Sequence, residues 1–254
     1  MINNLFRDLI NQRDMVIFID DILVATDTEE GHNELVEEVL KRLEKSDLFV
    51  KPEKCKWKVR EVEFLGVIIG PRGVEMQKEK VEGVLNWPIP KNVKEVQKFL
   101  GLVNYYRRFI KDFAKIVVPL HVLVRKEQRW KWEKEQEKTF GKLKTVFTMK
   151  PVLAILDIDK EIRVEADASD YATGGVLSTK CEDRKWRPVA FISKSLNTTE
   201  RNYEIHDKKM LAVIRYLEAW RHYLEGAKLE FEIWTDHKNL QYFMTSQKLN
   251  RRQA

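Results

Sequence analysis

Residues 15–26 read MVIFIDDILVAT, two adjacent carboxylates, Asp20 and Asp21, set between two apolar runs. Neighbouring like charges repel, and each needs water or a cation. The flanking runs, MVIFI and ILVAT, are short and rich in β-branched residues, which predicts two strands. Because the chain turns apolar again straight after Asp21, the acids are expected at the tip of a β-hairpin rather than at a strand leading into a helix. Carboxylates at such a tip, backed by a sheet, can present hard oxygens to Mg²⁺, which commonly keeps substrate phosphates in its shell. Two such ions about 3.5–4 Å apart can activate an attacking oxygen and stabilise the leaving one. Aspartate is also a common turn residue, so an ordinary polar turn is the alternative reading of the dipeptide. A phospho-receiver domain also carries paired acids after its first strand. It then needs an Asp closing a later parallel strand, and the next good strand, VEFLGVIIG at 62–70, ends in Gly.

The whole chain bounds these readings. Its 254 residues suffice for one large domain or two ordinary ones, and 43% hydrophobic with 34% charged residues suits a folded core. No apolar stretch approaches the roughly 18–20 residues of a membrane span, so no membrane partner is expected. The N-terminal MINNLFRDLINQRD is too polar for a secretory signal, which points to an intracellular setting, cytoplasm or nucleus. Cys55 and Cys181 are far apart and lack a metal-type spacing, in keeping with a reducing compartment. The five histidines form no Cys/His cluster, so no zinc site is expected.

The net charge of +6 is unevenly spread. Residues 1–75 carry 11 basic and 16 acidic side chains, residues 76–150 carry 18 and 8, and residues 151–254 carry 17 and 16. All the positive excess therefore lies in the middle segment, at net +10. That suits a polyanion held by the centre of the chain, and equally a solvated lysine-rich helix surface.

Working outward from the hairpin, NNLFRDLI reads as the end of a helix. A second helix is expected from about Thr28 to Ser46, with Leu35, Val36, Val39, Leu40 and Leu43 on one face. VEFLGVIIG reads as one strand closed by the turn signal GPRG. A short helix ends before Pro88. Asn92, with Glu95 three residues on, starts another helix whose apolar face includes Val96, Phe99, Val103 and Ile110. A further helix is expected from about Glu133 to Phe147. Then EIRVEADAS, GGVLSTK and RPVAFISKSL read as three strands, followed by one long helix from about Thr199 to Leu224 and the strand LEFEIWTDH. This succession predicts a separate α/β unit starting near Pro151.

Seven blocks, FIDDILVAT, VKPEKCKWKVREVEFLGVIIGPRGV, VQKFLGLVNYYRRFI, EADASDYATGGVLS, RPVAFISKSLNTTERNYE, WRHYLEG and WTDHKNL, occur in the order found in gypsy-type LTR-retrotransposon polyproteins. Over essentially its whole length the chain resembles their reverse transcriptase and the ribonuclease H domain that follows. The resemblance implies an α/β chain in three parts. Residues 1–76 would be the C-terminal part of the polymerase palm, 77–150 the thumb and connection, and 151–254 a ribonuclease H-like domain truncated at its C-terminus.

The resemblance also implies roles. FIDD looks like the polymerase motif usually written Tyr-x-Asp-Asp, with Asp20 binding catalytic Mg²⁺, Asp21 supporting the site, and Phe18 where the family often has Tyr. Lys98, Arg107 and Arg108 would contact phosphates of an RNA–DNA hybrid or template–primer duplex, a sequence-independent and salt-sensitive contact. Tyr105 and Tyr106 would lie against sugars or in the core, with core expected for one of them. Asp167 and Asp236, each closing a strand, would be ligands in a two-Mg²⁺ ribonuclease H centre, and His237 would be structural.

Three departures from the pattern stand out. No upstream strand supplies the third polymerase Asp, since Asp8 and Asp14 fall in a helix and a loop. The chain closes at LNRRQA, before the last ribonuclease H helix and its acid. The long helix carries Lys209 where the family has its catalytic Glu. The expectation is a retrotransposon-derived RNA-directed DNA polymerase and ribonuclease H fragment, working with the remainder of its polyprotein by two-metal phosphoryl transfer. The alternative is an inactive remnant that only binds nucleic acid.

Overall fold

The computed structural model describes residues 2–12, 14–126, 128–149 and 152–236. The expected boundary at Pro151, His237 and the closing LNRRQA lie outside them. The chain forms two compact units, Met1–Leu65 and Gly66–Ala254.

In the first unit, α1 (Ile2–Leu5) and α2 (Arg7–Gln12) precede a hairpin of β1 (Met15–Phe18) and β2 (Asp21–Val24). The strands pair antiparallel from Met15↔Val24 to Phe18↔Asp21, so Ile19 and Asp20 alone make the turn. α3 (Glu29–Lys45) follows, capped by Thr28, whose hydroxyl accepts from Gly31 N–H at 3.2 Å. Its apolar face puts Val39 and Leu43 into a core with Phe6, Leu9 and Met15. Leu40, by contrast, is exposed. Arg42 ties the helices together, donating to both carboxylate oxygens of Asp8 at 2.6 and 2.8 Å and to Glu38 at 2.7 Å. β3 (Val62–Phe64) closes the unit.

The stretch VEFLGVIIG is not one strand. It breaks after Phe64 because Leu65 and Gly66 take φ of 46° and 73°, outside any extended conformation. The second unit starts there with β4 (Val67–Gly70) and β5 (Gly73–Met76), paired antiparallel from Val67↔Met76 to Gly70↔Gly73. Then come α4 (Lys78–Leu85), α5 (Val93–Tyr105), α6 (Phe113–Ile116), α7 (Val118–Leu123) and α8 (Lys134–Thr148). Asn92 caps α5, its side chain accepting from Glu95 N–H at 3.0 Å. Ile110 is buried, as expected, but lies beyond that helix, after a 3₁₀ turn at Arg107–Phe109. The inward faces of these helices form one core that includes Val96, Phe99, Val103, Tyr106, Phe140 and Leu143.

The same unit continues with β6 (Ile162–Ala168), β7 (Ala172–Lys180) and β8 (Trp186–Ser195), then α9 (Thr198–Arg201), α10 (Ile205–Ala219), α11 (Arg221–Leu224) and β9 (Glu232–Trp234). The single long helix expected from Thr199 to Leu224 is thus three pieces. Asn197 and Glu200 close a capping box on the one-turn α9, and Glu204 is extended (φ −64°, ψ 158°), so α10 has to start afresh. The sheet order is β8-β7-β6-β9, with β9 parallel to β6 and the other pairs antiparallel. Alternate β6 residues Ile162, Val164, Ala166 and Ala168 pack against Ala212, Tyr216 and Trp220.

Residues 152–154 stitch the two cores of this unit together. Leu153 exchanges both backbone hydrogen bonds with Val74 (2.7 and 2.9 Å), and Ala154 N–H donates to Pro188 O at 2.8 Å. Gly73 makes that approach possible. Its φ is +123°, and a Cβ there would stand 2.1 Å from Leu153 O. Gly73→Ala is therefore expected to cost about 1–3 kcal/mol of stability, read as a lowered urea midpoint.

The Arg42 guanidinium holds the Asp8 carboxyl down at about 2 from an ordinary 3.8. A depressed folded-state value means that the contribution is complete above the unfolded value and is lost as pH falls from about 4 towards 2. The Asp8 carboxyl resonance should titrate near 2 in the parent chain and return towards 3.8 in Arg42→Met.

Candidate active site and nucleic-acid surface

Asp20 and Asp21 stand exposed at the hairpin tip. Phe18 and Ile19 beside them are 50% and 71% exposed. Ile19 has φ of 55°, a left-handed conformation that a β-branched residue resists. The two-residue turn thus holds a strained backbone next to its carboxylates, a pattern that clusters at functional sites.

The second constellation is built by strand register. β6 and β9 run parallel with Arg163↔Glu232, Val164↔Ile233 and Glu165↔Trp234. Asp167 follows on β6, and Asp236 lies two residues beyond the end of β9. β9 is pinned by side chains as well. Arg163 Nε donates to Glu232 Oε2 at 3.0 Å, and its guanidinium lies between the rings of Trp186 and Trp234, at 3.9 and 3.7 Å from their centroids.

Lys209 reaches these two acids from α10. Its Nζ donates to Asp236 Oδ1 and lies 3.5 Å from Asp167 Oδ1. The lysine side chain is 8% exposed, while those of Asp167 and Asp236 are 68% and 70% exposed. The structure therefore brings together Asp167, Asp236 and Lys209, which are distant in sequence. The neighbouring Lys208 is also buried and pairs with Asp170 at 3.0 Å.

For a divalent ion this donor set fits poorly, being two carboxylates and an ammonium that offers no lone pair. Among the described residues, no three His, Cys, Asp or Glu side chains stand together as a metal site.

A small cavity of about 80 Å³ opens beside Asp167, lined also by Asp112, Lys115, Ser169, Thr173 and Ser193. Asp112 and Lys115 were not foreseen. KDFAK reads as ordinary polar spacing, and only the packing of α6 against β8 brings it here, with Ala114 N–H donating to Ser193 Oγ at 2.8 Å. The three basic residues expected on phosphate differ in setting. Lys98 and Arg108 are exposed. Arg107 is half-buried, donates from Nη2 to Ser193 O, and lies over the Phe113 ring. Tyr106 is the core tyrosine, its hydroxyl donating to Gly66 O at 2.7 Å, and Tyr105 is 56% exposed.

Known proteins resemble this chain in sequence and in fold. Residues 1–69 match the family model of reverse transcriptase (RNA-dependent DNA polymerase), and residues 132–233 that of the RNase H-like domain found in reverse transcriptase. The Transposon Tf2-3 polyprotein of Schizosaccharomyces pombe is 40% identical over 226 residues, 89% of this chain and 17% of that polyprotein. The Tf2-7 polyprotein is 39% identical over 231 residues, 91% of this chain. The chain thus spans about a sixth of the length of these relatives. Two solved structures share the fold. The foamy viral protease-reverse transcriptase in complex with RNA/DNA hybrid has a TM-score of 0.78 at 23% identity, over 99% of this chain and 34% of that one. The same enzyme in complex with dsDNA has a TM-score of 0.77 at 22% identity, over 97% and 50%. The chain belongs to the reverse transcriptase and ribonuclease H region of gypsy-type LTR-retrotransposon polyproteins. No helix among the described residues is long and apolar enough to cross a membrane.

The setting of the arginine pair predicts a difference between its members. Arg107→Ala takes a donor from the carbonyl of buried Ser193 and should cost about 1–3 kcal/mol in urea unfolding. Arg108→Ala should stay within about 0.5 kcal/mol of the parent.

Proposed function

We propose that this chain is the duplex-handling part of a retrotransposon reverse transcriptase, with an RNA–DNA hybrid or template–primer as its partner and the rest of the polyprotein as its context. Residues 1–76 act as the end of the palm, 77–150 as thumb and connection, and 151–254 as the ribonuclease H-like domain. Asp20 and Asp21 present their oxygens to Mg²⁺ at the polymerase centre. That ion would supply Lewis-acid stabilisation of a transferring phosphoryl group, and the hairpin's part is to hold two carboxylates at an exposed, stiff tip.

One observation carries the reading. The segment with net charge +10 buries its apolar faces in a single core and leaves Lys80, Lys94, Lys98, Arg108, Lys115 and Lys142 exposed. Exposed cations on a rigid scaffold suit a phosphate backbone and carry no base specificity. The foamy viral neighbours solved with RNA/DNA hybrid and dsDNA lend support. At the ribonuclease H-like part, a second reading, binding without hydrolysis, is favoured by Lys209 beside Asp167 and Asp236.

The chain should bind hybrid duplex with little sequence preference and with an affinity that falls steeply with salt. Lys98→Ala combined with Arg108→Ala should flatten the slope of log K against log salt by about one unit per lost phosphate contact. Fluorescence anisotropy on a labelled hybrid reads this, and an unchanged slope would show that these side chains face away from the duplex.

A further inference from the structure

We infer that Lys209 is a resident cation. Its ammonium clasps Asp167 and Asp236 together where a ribonuclease H-type centre would seat a divalent ion, so this centre is held by the protein's own charge and takes up no Mg²⁺. The inference rests on the ribonuclease H-like assignment of this domain and not on duplex binding.

The two acids gathered here favour a cation between them. β6 carries Asp167 beside the parallel strand β9, and Asp236 follows two residues after that strand; both carboxylates meet the one Lys209 ammonium, so two like charges stand close together. A positive charge between them removes the repulsion, and either a metal ion or an ammonium can supply it. In this chain the ammonium is already in place, bonded to Asp236 and 3.5 Å from Asp167. Burial shows that the contact is built in. The Lys209 side chain is 8% exposed, against 68% and 70% for the acids. A lysine that merely swung out on its flexible stem would be wet at the head. Here the lysine side chain is covered by the fold, and its ammonium meets both acids. A buried ammonium is costly unless paired, so these acids are what make the position tenable.

Mg²⁺ would have to displace this arrangement. It needs oxygen ligands in near-octahedral order, and the ammonium provides none while repelling the ion at contact distance. The helix offers no substitute acid on the same face, because one turn either way from Lys209 brings Ile205, His206, Ala212 and Val213.

The test uses the full chain carrying Asp20→Asn and Asp21→Asn, so that the hairpin adds no metal site, and Mn²⁺ as the probe without nucleic acid. Electron paramagnetic resonance should count no Mn²⁺ bound at this centre, and the melting temperature should not move with millimolar Mg²⁺. Lys209→Glu should gain one Mn²⁺ site per chain and a melting temperature that rises with Mg²⁺. Lys209→Met, which keeps the stem and removes the charge, should melt lower without metal and recover part of the loss in Mg²⁺. It carries the test if Lys209→Glu does not fold. Lys209→Arg should behave as the parent. A Mn²⁺ site in the parent background that Asp167→Asn abolishes would overturn the inference. So would a Lys209→Met chain that melts as the parent does and gains nothing from Mg²⁺. Because no duplex is present, failure of the binding proposal leaves these outcomes unchanged.

Discussion

Two carboxylates gathered on one buried lysine, Asp167 from β6 and Asp236 from just beyond β9, are the constraint on which the ribonuclease H-like half is organised. A parallel pair cannot be closed by a tight turn; it needs a crossover long enough to carry a helix back along the sheet. Here α9, α10 and α11 form that crossover, and β9 arrives beside β6 with Asp236 two residues past its end. The connection that creates the repulsion also carries its remedy, because α10 is the element that brings Lys209. The Arg163 stack between Trp186 and Trp234 fixes the register from the other end of the short strand.

The polymerase hairpin solves a related problem without a counter-charge. Its two acids sit in water at the end of a two-residue turn, where solvent screens them. The backbone strain at Ile19 is borne by a core of Phe6, Leu9, Met15, Val39 and Leu43. A longer, unstrained loop would leave the carboxylates free to splay. Both sites hold paired acids exposed to solvent, and in the second a buried ammonium also reaches them.

Between them, the basic segment separates binding from stability. Its apolar faces are used up in one core and most of its lysines face outward. Arg107 and Lys144 are exceptions, the first tied through Ser193 to β8 and the second donating to the carbonyls of Leu85 and Trp87. A basic residue in a basic stretch is thus not automatically a phosphate contact, since one that finds a buried carbonyl serves packing first.

Local pattern alone determined much of this protein. The return to apolar residues straight after Asp21 specified a hairpin with the acids at its tip, but the turn expected at Asp20 and Asp21 falls one residue earlier, at Ile19 and Asp20, a register that strand pairing decides. The helical spacing of Leu35, Val39 and Leu43 specified the inward face of α3, Asn92 with Glu95 specified the start of α5, and the segments EIRVEADAS, GGVLSTK and RPVAFISKSL specified β6, β7 and β8. Each of these depends on neighbours within a few residues. What stayed illegible depends on contacts across long separations. The break at Leu65 and Gly66 and the division of α9 from α10 are backbone choices that apolar periodicity does not report. The burial of Arg107 and the arrival of Asp112 and Lys115 beside Asp167 come from packing against β8. The substitution at Lys209 could be read as a missing acid and its ammonium as a possible partner for Asp167 and Asp236. Only the tertiary structure decided between that pairing and a side chain swung into solvent, because a lysine's charge comes to rest where burial of its stem and the nearest carboxylates direct it.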